Sequence, residues 1–328
     1  MNSEDKSVEP IGSFLGRTGA RALTGDIAVV GAGAIGAVYG SMLHEAFPER
    51  VRFLADERRV ERLSADGIVV NGKHHAVVAQ TPDQLPTAPD VIIVTVKYHH
   101  LREALPLIEA ARGKNTMVLS LLNGIDSEEI IAERIGFDHV LYGMALGIDA
   151  VRTAGEVTCS TSGRIFLGRA HNEEIDETVA GVRDLLNGAG INTEVPADML
   201  RMLWWKFMIN IGMNQVSAVL GAPYREFQEN DHATALTDRA MGECVAVASA
   251  EGIGLGEADI SRWHEVLNTL SPDGKTSMLQ DVEAQRKTEV EMFAGLLTER
   301  ARNHGLEVPF NEALFHMIKI REARYGLG

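Results

Sequence analysis

The sequence is short of several features that would place it in a particular class of protein. Its 328 residues include only two cysteines, Cys159 and Cys244, which are too few for a disulfide framework and suit a reducing cytoplasm. No apolar run approaches the roughly 18 residues that a membrane-spanning helix needs. The formal net charge of −15 disfavours nucleic acid and anionic membranes as partners, since both favour basic surfaces. A small anionic substrate stays compatible with this charge, because a few local cations can bind it.

Metal-binding patterns are also missing. The eleven histidines form neither an H-E-x-x-H motif nor a cluster with the cysteines, so we predict no metal site. The chain is long enough for about two domains, and its 45% hydrophobic content is ordinary for a globular protein. Residues 1–25 are rich in serine, glycine and charge and show no periodicity, which predicts a disordered extension.

A glycine-rich loop follows the first predicted strand. The apolar run 27–30 leads directly into the sequence GAGAIG at residues 31–36, and residues 37–46 predict a helix. A lone G-x-G-x-x-G motif is weak, but here a strand precedes it and a helix follows it. An acidic residue, Asp56, also lies 20 positions beyond Gly36. This context is typical of a dinucleotide-binding site.

Each glycine of the loop has a predicted task. Gly31 allows the tight turn, Gly33 lets the backbone approach the pyrophosphate, and Gly36 lets the helix and the strand pack closely. The phosphates are expected on the helix N-terminus, where N–H groups and the helix dipole favour anions. The predicted cofactor-binding residues of the loop are Gly31, Ala32, Gly33, Ala34, Ile35 and Gly36.

The charged residues after the second predicted strand bear on the choice of cofactor. A carboxylate at Asp56 can accept hydrogen bonds from the adenosine ribose hydroxyls and would repel a 2′-phosphate, which favours NADH. Arg58 and Arg59 follow at once, and either could bind a 2′-phosphate instead. A solvated loop of charges is the third interpretation.

Two further polar positions follow buried strands. Lys97 ends the apolar run 91–96, and Asn123 and Gly124 follow the run 116–121. Taken singly, a surface lysine or an Asn-Gly turn is as good an explanation as function. At the carboxyl ends of strands in one parallel sheet, however, Lys97 and Asn123 are expected to line a ligand cleft.

The rest of the sequence predicts where the two domains divide. Short strands and one helix over residues 140–194 extend the same sheet, and Pro196 marks a boundary. We therefore predict an α/β Rossmann-type dinucleotide-binding domain over residues 26–195 and an all-α substrate domain over 196–328. The second domain's helices are predicted at 197–219, 231–252, 258–270, 276–286, 288–304 and 311–324. This combination is typical of a two-domain reductase with its active site in the cleft between the halves.

The first predicted helix of the second domain carries an unusual polar stripe. Its sequence WWKFMINIGMN, residues 204–214, is apolar except for Lys206, Asn210 and Asn214. Steps of four turn a helix about 400°, so these three side chains share one face. Unpaired buried polar groups cost roughly 1–3 kcal/mol each, so the stripe needs a partner. That partner is either other protein groups or a ligand.

The chain resembles the ketopantoate reductases (2-dehydropantoate 2-reductases) over nearly its whole length after the extension. The marks are GAGAIG at 31–36, VTVK ending at Lys97, NG at 123–124, WWKFMINIGMN at 204–214 and TSMLQDVEAQRKTEVE at 276–291. The last two are far more specific than a glycine loop. The resemblance implies reduction of ketopantoate to (R)-pantoate by a nicotinamide cofactor, in the biosynthesis of pantothenate and coenzyme A.

The resemblance also implies roles for the stripe. Lys206 would be the catalytic proton donor, and Asn210 and Asn214 would line the substrate pocket together with Asn123. Hydride arriving at a ketone carbon makes an alkoxide, which a positioned ammonium group stabilises and protonates. The alternative is structural: Lys206 would pair with a buried carboxylate, and the two asparagines would bind backbone.

Two other residues match the substrate site of the family. By resemblance, Glu289 would contact the substrate hydroxyl and orient Lys206, while Ser277 would hold the substrate carboxylate region. On one straight helix these two residues would be about 120° apart and roughly 18 Å apart along the axis. Thr288 to Glu291 has the spacing of a capping box, so a helix break near residues 286–287 would let both face one pocket. A helix cap at Ser277 and a solvated face at Glu289 are the alternatives.

Cofactor preference and partners complete these expectations. Relatives that prefer NADPH carry an arginine just after the second strand, where this chain has Asp56, so we predict NADH although NADPH is the family default. The expected partner is a small anionic 2-keto acid, and a homodimer stays open. Two alternatives remain: a reductase of a different 2-keto acid on the same fold, and a dinucleotide-binding redox sensor without catalysis. A sensor has no need for Lys206, Asn210, Asn214 and Glu289 together.

Overall fold

The chain forms two compact units in a computed structural model that describes residues 20–326. The first unit ends at Leu200, and the main part of the second unit begins at Arg201. Three residues that interrupt the first unit in sequence, Asn123–Ile125, belong to the second. The predicted division between residues 195 and 196 lies slightly earlier in the chain.

All strands of the described chain lie in the first unit. They are β1 (Ile27–Val30), β2 (Val51–Leu54), β3 (Ile68–Val70), β4 (Lys73–His75), β5 (Val78–Gln80), β6 (Val91–Val94), β7 (Met117–Ser120), β8 (Val140–Leu146), β9 (Asp149–Thr153), β10 (Glu156–Thr161), β11 (Arg164–Gly168) and β12 (Thr193–Glu194).

Eight of these strands form the main sheet, in the order β12-β11-β8-β7-β6-β1-β2-β5. The six neighbouring strands β8, β7, β6, β1, β2 and β5 are parallel to one another. Strand β11 is antiparallel to β8. In β1, Ile27 and Val29 face one hydrophobic core, while Ala28 and Val30 face another. Both faces of the sheet are covered, and the central strands β1 and β6 are apolar throughout, as buried parallel strands usually are.

The helices of the first unit cover these two faces. Ala37, Val38 and Leu43 of α1 (Ala34–Ala46) contribute to one core, together with α5 (Glu177–Gly188). The opposite core is lined by α3 (Leu101–Ala111) and α4 (Ser127–Ile135). A further helix, α2 (Glu57–Asp66), follows β2.

One prediction about the sheet is wrong. The segment 140–194 extends the main sheet only through β8, β11 and β12, whereas β9 and β10 form a hairpin that pairs with β3 in a second sheet, in the order β4-β3-β10-β9. Strand β9 is largely exposed, so its residues could not fill an interior position of the main sheet. Its turn at Ala154 and Gly155 has positive φ at both residues, which folds the hairpin back on itself.

All regular secondary structure in the described residues of the second unit is helical. The elements from the unit boundary onward are α6 (Met199–Ile209), α7 (Gln215–Leu220), α8 (Tyr224–Glu229), α9 (Asp231–Ala250), α10 (Glu257–Leu267), α11 (Ser277–Glu283), α12 (Leu296–Asn303) and α13 (Pro309–Arg324). Two π-helical turns, Asn210–Asn214 and Glu291–Gly295, lead into α7 and α12. The short helix α8 was not predicted. No helix in residues 20–326 is long and apolar enough to cross a membrane.

The predicted disordered extension, residues 1–25, lies mostly outside the described residues. Its described part, residues 20–25, runs along the first unit. The Arg50 guanidinium donates to the carbonyls of Leu23 and Gly25 at 2.8–2.9 Å. The disorder of residues 1–25 stays a prediction, and the half-buried Arg50 side chain bonds the described part of this segment to the first unit.

Candidate functional site

The glycine loop between β1 and α1 is the first candidate site. Gly31 has a φ of +107°, where any other residue would be strained. A Cβ at Gly31 would also lie 2.9 Å from backbone atoms of Thr95 and Val96. The tight turn at this position therefore requires glycine.

Gly33 and Gly36 are constrained in different ways. A Cβ at Gly36 would collide with the carbonyl oxygen of Gly31 and the hydroxyl of Thr95, so this glycine lets α1 pack against the loop. Gly33 has a φ of −72° and a ψ of −162°, and a Cβ there would come no closer than 4.0 Å to its nearest neighbour, the Thr95 carbonyl. The fold therefore tolerates a side chain at position 33. A side chain at this position would, however, collide with a ligand whose phosphates approach the backbone.

The N-terminus of α1 suits an anion. Gly33 is the N-cap and has no side chain to cap the helix, and the first turn contains no acidic residue. The first N–H groups of a helix have no intrahelical acceptor and carry the positive end of its dipole. Residues 31–35 are half-exposed. The loop and the helix terminus thus fit the pyrophosphate of a dinucleotide.

Asp56 has a structural task that the sequence did not reveal. It is the N-cap of α2, where its Oδ1 accepts from the Arg59 backbone N–H at 2.9 Å. Its Oδ2 accepts from the Arg59 guanidinium at 3.0 Å, in an ion pair whose two side chains are each 50% exposed. A carboxylate at the end of the second strand is therefore present, but it is shared with the helix and with one of the competing arginines.

The segments after β6 and β7 are tied together. Lys97 is exposed directly after the β6 segment, and the neighbouring Tyr98 hydroxyl donates to the Asp126 carboxylate at 2.6 Å. Asp126 precedes α4, so the bond links the carboxyl ends of two adjacent parallel strands. The sequence analysis missed this pair, because neither residue belongs to a motif.

The asparagines of the predicted stripe do meet. The Asn214 amide donates to the Asn210 side-chain oxygen and to the Ser277 hydroxyl, both at 3.4 Å. These distances are long for hydrogen bonds, so the amide is weakly committed to protein acceptors. Lys206 is half-buried and precedes Asn210 by one helical step of four in α6. Polar groups from the π-helical turn and α11 therefore meet in the second unit.

The π-helical turn at residues 210–214 is held by a buried polar network. The Gln215 amide donates to the Ile211 carbonyl at 2.9 Å and to the Asn311 side-chain oxygen at 3.0 Å. The Asn311 amide in turn donates to Glu243 at 2.9 Å. π-helical turns are rare and frequently lie at functional sites, so this turn, held by a buried network, marks a candidate functional segment.

Glu289 and Asn123 meet in the same unit. The Asn123 amide donates to Glu289 Oε2 at 3.1 Å, although the two residues are far apart in sequence. Glu289 is only 7% exposed, so its interpretation as part of a solvated face is wrong. The helix cap predicted as the alternative for Ser277 belongs to its neighbour, because the Thr276 hydroxyl accepts from the Leu279 N–H at 3.2 Å.

The helical structure is interrupted between Ser277 and Glu289, but Thr288 and Glu291 do not form the predicted capping box. Helix α11 ends at Glu283, Gln285 has a φ of +53°, and regular structure resumes at Glu291. The N–H and the hydroxyl of Thr288 both donate to Glu322, so the predicted reciprocal bonds between Thr288 and Glu291 are replaced by a carboxylate from another helix.

A signal for Glu322 was present in the sequence. The buried stripe of α13 consists of Asn311, Leu314, Ile318 and Glu322, so two of its four positions are polar. A polar residue in an apolar stripe requires a partner. Asn311 bonds Gln215, which follows Asn214, and Glu322 bonds Thr288, which precedes Glu289. The helix was predicted, but its partners could not be.

A buried glutamate lies at the start of α4. Glu128 is 1% exposed, and it accepts from the Ser127 hydroxyl at 2.8 Å and from the Gly143 N–H at 3.2 Å. Burial raises the pKa of Glu128 to about 7, in spite of these hydrogen bonds, and the nearby Asp126 adds to the effect. The sequence gave no indication of this group.

This glutamate makes the stability of the protein depend on pH. Because its pKa is raised on folding, its contribution is present below the ordinary value of 4.5 and is lost as the pH rises through 7. Relative to Glu128→Gln, the wild type is expected to lose about 3 kcal/mol of unfolding free energy over this range. Urea unfolding of both proteins at pH 5 and pH 8 measures the difference. Parallel pH dependence would contradict the prediction, and Glu133→Gln, on the exposed face of α4, is the control.

The two halves of the chain match the two domains of one protein family. Residues 27–172 match the profile described as ketopantoate reductase PanE/ApbA, and residues 198–322 match that of its C-terminal domain. The chain belongs to the ketopantoate reductase family. This membership confirms the predicted family, the Rossmann-like domain followed by an all-helical domain, and the oxidoreductase class.

Relatives in this family cover nearly the whole chain. The 2-dehydropantoate 2-reductase of Pyrococcus horikoshii is 29% identical over 92% of this chain and 98% of its own length. That of Halobacterium salinarum is 28% identical over 90% and 98%. The crystal structure of 2-dehydropantoate 2-reductase from Methylococcus capsulatus has a TM-score of 0.79 at 26% identity, over 92% of this chain and 97% of that one.

One structural neighbour carries a different name within the same fold. The ternary structure of D-mandelate dehydrogenase with NADH and anilino(oxo)acetate has a TM-score of 0.83 at 23% identity. It covers 92% of this chain and 100% of its own. This likeness concerns the fold. A nicotinamide dinucleotide is the cofactor class that goes with the ketopantoate reductase family, and residues 20–326 contain no group of three His, Cys, Asp or Glu side chains placed to hold a metal ion.

Proposed function

We propose that this protein reduces 2-dehydropantoate to (R)-pantoate with a hydride from a nicotinamide cofactor. The observation that carries the proposal is the convergence of Asn210, Asn214 and Ser277, with Glu289 bonded to Asn123, in a helical unit of the ketopantoate reductase family. Amide, hydroxyl and carboxylate groups together suit a substrate that carries a carboxylate, a ketone and a hydroxyl.

The first unit would hold the cofactor. The backbone of residues 31–36 and the N-terminus of α1 would bind the pyrophosphate, Asp56 would bind the adenosine ribose, and Lys97 would line the wall of the site. The bound nicotinamide would supply the hydride. Gly33 supports this assignment, because the fold leaves space at a position where the motif has glycine.

The second unit would hold the substrate and supply the proton. Lys206 would stabilise the developing alkoxide and protonate it, while Glu289 would bind the substrate hydroxyl and orient the ammonium group. Asn210, Asn214 and Ser277 would bind the carboxylate side. The long bonds of the Asn214 amide are compatible with this role, because its donors can turn to a better acceptor.

A panel of 2-keto acids tests the substrate. Initial rates of NADH and NADPH oxidation would be compared for ketopantoate, 2-ketoisovalerate, pyruvate and phenylglyoxylate. Phenylglyoxylate corresponds to mandelate, which appears in the name of a protein with the same fold. We expect ketopantoate to have the highest kcat/KM, and 2-ketoisovalerate, which lacks the hydroxymethyl group, to lose about tenfold or more. A higher kcat/KM for another keto acid would favour the alternative reductase, and tight cofactor binding without turnover would favour a sensor.

We propose NADH as the preferred cofactor because of Asp56. Its use as a helix cap makes Asp56→Asn the appropriate test, since asparagine caps as well as aspartate but carries no charge to repel a 2′-phosphate. The substitution also releases the Arg59 guanidinium. We expect the ratio of kcat/KM for NADPH to that for NADH to rise about tenfold, with an unchanged melting temperature. Better efficiency with NADPH in the wild type would contradict the preference.

A homodimer and a cytoplasmic location complete the proposal. A dimeric ketopantoate reductase from Staphylococcus aureus has the same fold at 20% identity, which leaves the assembly of this chain to be measured. Both cysteines, Cys159 and Cys244, are free thiols, as in proteins of a reducing compartment. Light scattering after size-exclusion chromatography would give the mass, and a monomer at micromolar concentration would contradict the dimer.

A further inference from the structure

The carboxylate that the proposed function assigns to the substrate lies on an irregular segment. Residues 284–290 connect α11 to the second π-helical turn, and Glu289 lies two residues before the first residue of that turn, Glu291. The Glu289 carbonyl accepts the first backbone bonds of the turn, from Met292 and Phe293. The direction of the Glu289 side chain therefore depends on what anchors the residues on either side of it.

The anchor before Glu289 is a buried carboxylate from α13. Glu322 is fully buried, and its Oε1 accepts from both the N–H and the hydroxyl of Thr288, each at 2.7 Å. Two bonds to one residue fix both the position and the rotation of that peptide. Since Thr288 is joined directly to Glu289, the carboxylate of Glu322 sets where the Glu289 backbone begins.

The anchor after Glu289 comes from the same turn of α13. The Lys319 ammonium donates to Glu322 Oε2 at 2.7 Å and to Glu291 Oε1 at 2.8 Å. Glu291 is the first residue of the π-helical turn. One helical turn of α13 thus holds the chain on both sides of Glu289.

We propose that Glu322 and Lys319 are positioning residues that direct the Glu289 carboxylate toward the Asn123 amide and the substrate. The inference rests on the proposed function, in which Glu289 binds the substrate. Glu322 bonds Thr288 and Lys319 bonds Glu291, so both act on Glu289 through the backbone of residues 288–291. The C-terminal helix is then part of the machinery that orients the site.

Stability alone is a poor explanation for this network. Burial by itself would raise the pKa of Glu322, but the hydrogen bonds from Lys319 and Thr288 outweigh it and hold the pKa below its usual value. The group is therefore charged near neutral pH. Buried ion pairs give little net stability compared with apolar packing of similar volume.

A double-mutant cycle tests the inference. Glu322→Gln keeps the size of the side chain but turns an amide NH₂ group toward either Thr288 or Lys319, both of which are donors. In the wild-type background we expect kcat/KM for ketopantoate to fall about tenfold. In a Glu289→Ala background the same change is expected to cost less than about twofold, since the group that it positions is already gone. NADH affinity and melting temperature are measured for all four proteins.

Each outcome of the cycle has a defined meaning. Equal losses in both backgrounds, or no loss in the wild-type background, would overturn the inference. Wild-type activity in Glu289→Ala alone would instead remove the proposed role of Glu289, and the inference with it. If Glu322→Gln does not fold, Thr288→Val removes one of the two anchoring bonds, and we expect about a fivefold loss that also disappears without Glu289. Glu312→Gln is the control, because this α13 residue pairs with the exposed Arg302.

Discussion

Replacement of Lys206 by alanine is expected to lower kcat about 10³-fold while the affinity for the dinucleotide stays unchanged. The reason is that the ammonium group acts on charge that develops only during the reaction, whereas the predicted dinucleotide residues, apart from Asn123, lie in the first unit. Stopped-flow and steady-state rates with ketopantoate measure the loss. Fluorescence titration with NADH measures the affinity.

Two controls separate a proton donor from a structural lysine. Lys275→Ala removes an exposed lysine of the second unit that pairs with Glu283, and it should leave kcat unchanged. Methylammonium added to Lys206→Ala should restore part of the lost rate in proportion to its protonated form. Turnover of Lys206→Ala within a few fold of the wild type would eliminate the proton-donor role.

Substitutions in the glycine loop give the second large expected effect. Alanine at Gly36 should lower stability, whereas alanine at Gly33 should lower the affinity for NADH. Gly36→Ala is expected to destabilise the protein by about 3 kcal/mol, since its Cβ would collide with the Gly31 carbonyl. Gly33→Ala should unfold like the wild type, because its Cβ has 4.0 Å of clearance and its φ is ordinary. Its dissociation constant for NADH should nevertheless rise at least about tenfold, or 1.4 kcal/mol.

Thermal unfolding and NADH titration of the same two variants check this contrast. If Gly33→Ala binds NADH as tightly as the wild type, the pyrophosphate does not approach the loop at this residue. If Gly33→Ala is as unstable as Gly36→Ala, the glycine is needed by the fold, and it no longer supports a bound dinucleotide.

Local patterns in the sequence were enough to predict much of the architecture. The apolar strands, the glycine loop and the polar stripe of WWKFMINIGMN depend on neighbouring residues, and these elements form near the predicted positions. The break between Ser277 and Glu289 was also predicted, from the geometric requirement that both residues face one ligand. The irregular segment 284–290 contains the predicted position of the break, residues 286–287.

The features that escaped prediction depend on distant residues. The π-helical turn at 210–214 is held by Gln215 and Asn311, and the start of the next one by Lys319. Neither pairing follows from any local pattern. The second sheet was missed for the same reason, because β10 pairs with β3, which lies far away in the chain. Asp56 shows a different limit, since one carboxylate can serve as a helix cap and as a ligand group.

Transfer of a labelled hydride tests the central claim most directly. The protein would be mixed with ketopantoate and NADH that carries deuterium at the transferable position of the nicotinamide, and the product would be examined by mass spectrometry. We predict pantoate that carries one deuterium at C2, formed by the wild type and strongly reduced in Lys206→Ala. Saturating NADH binding without labelled pantoate would contradict the assignment of this chain as a ketopantoate-reducing enzyme.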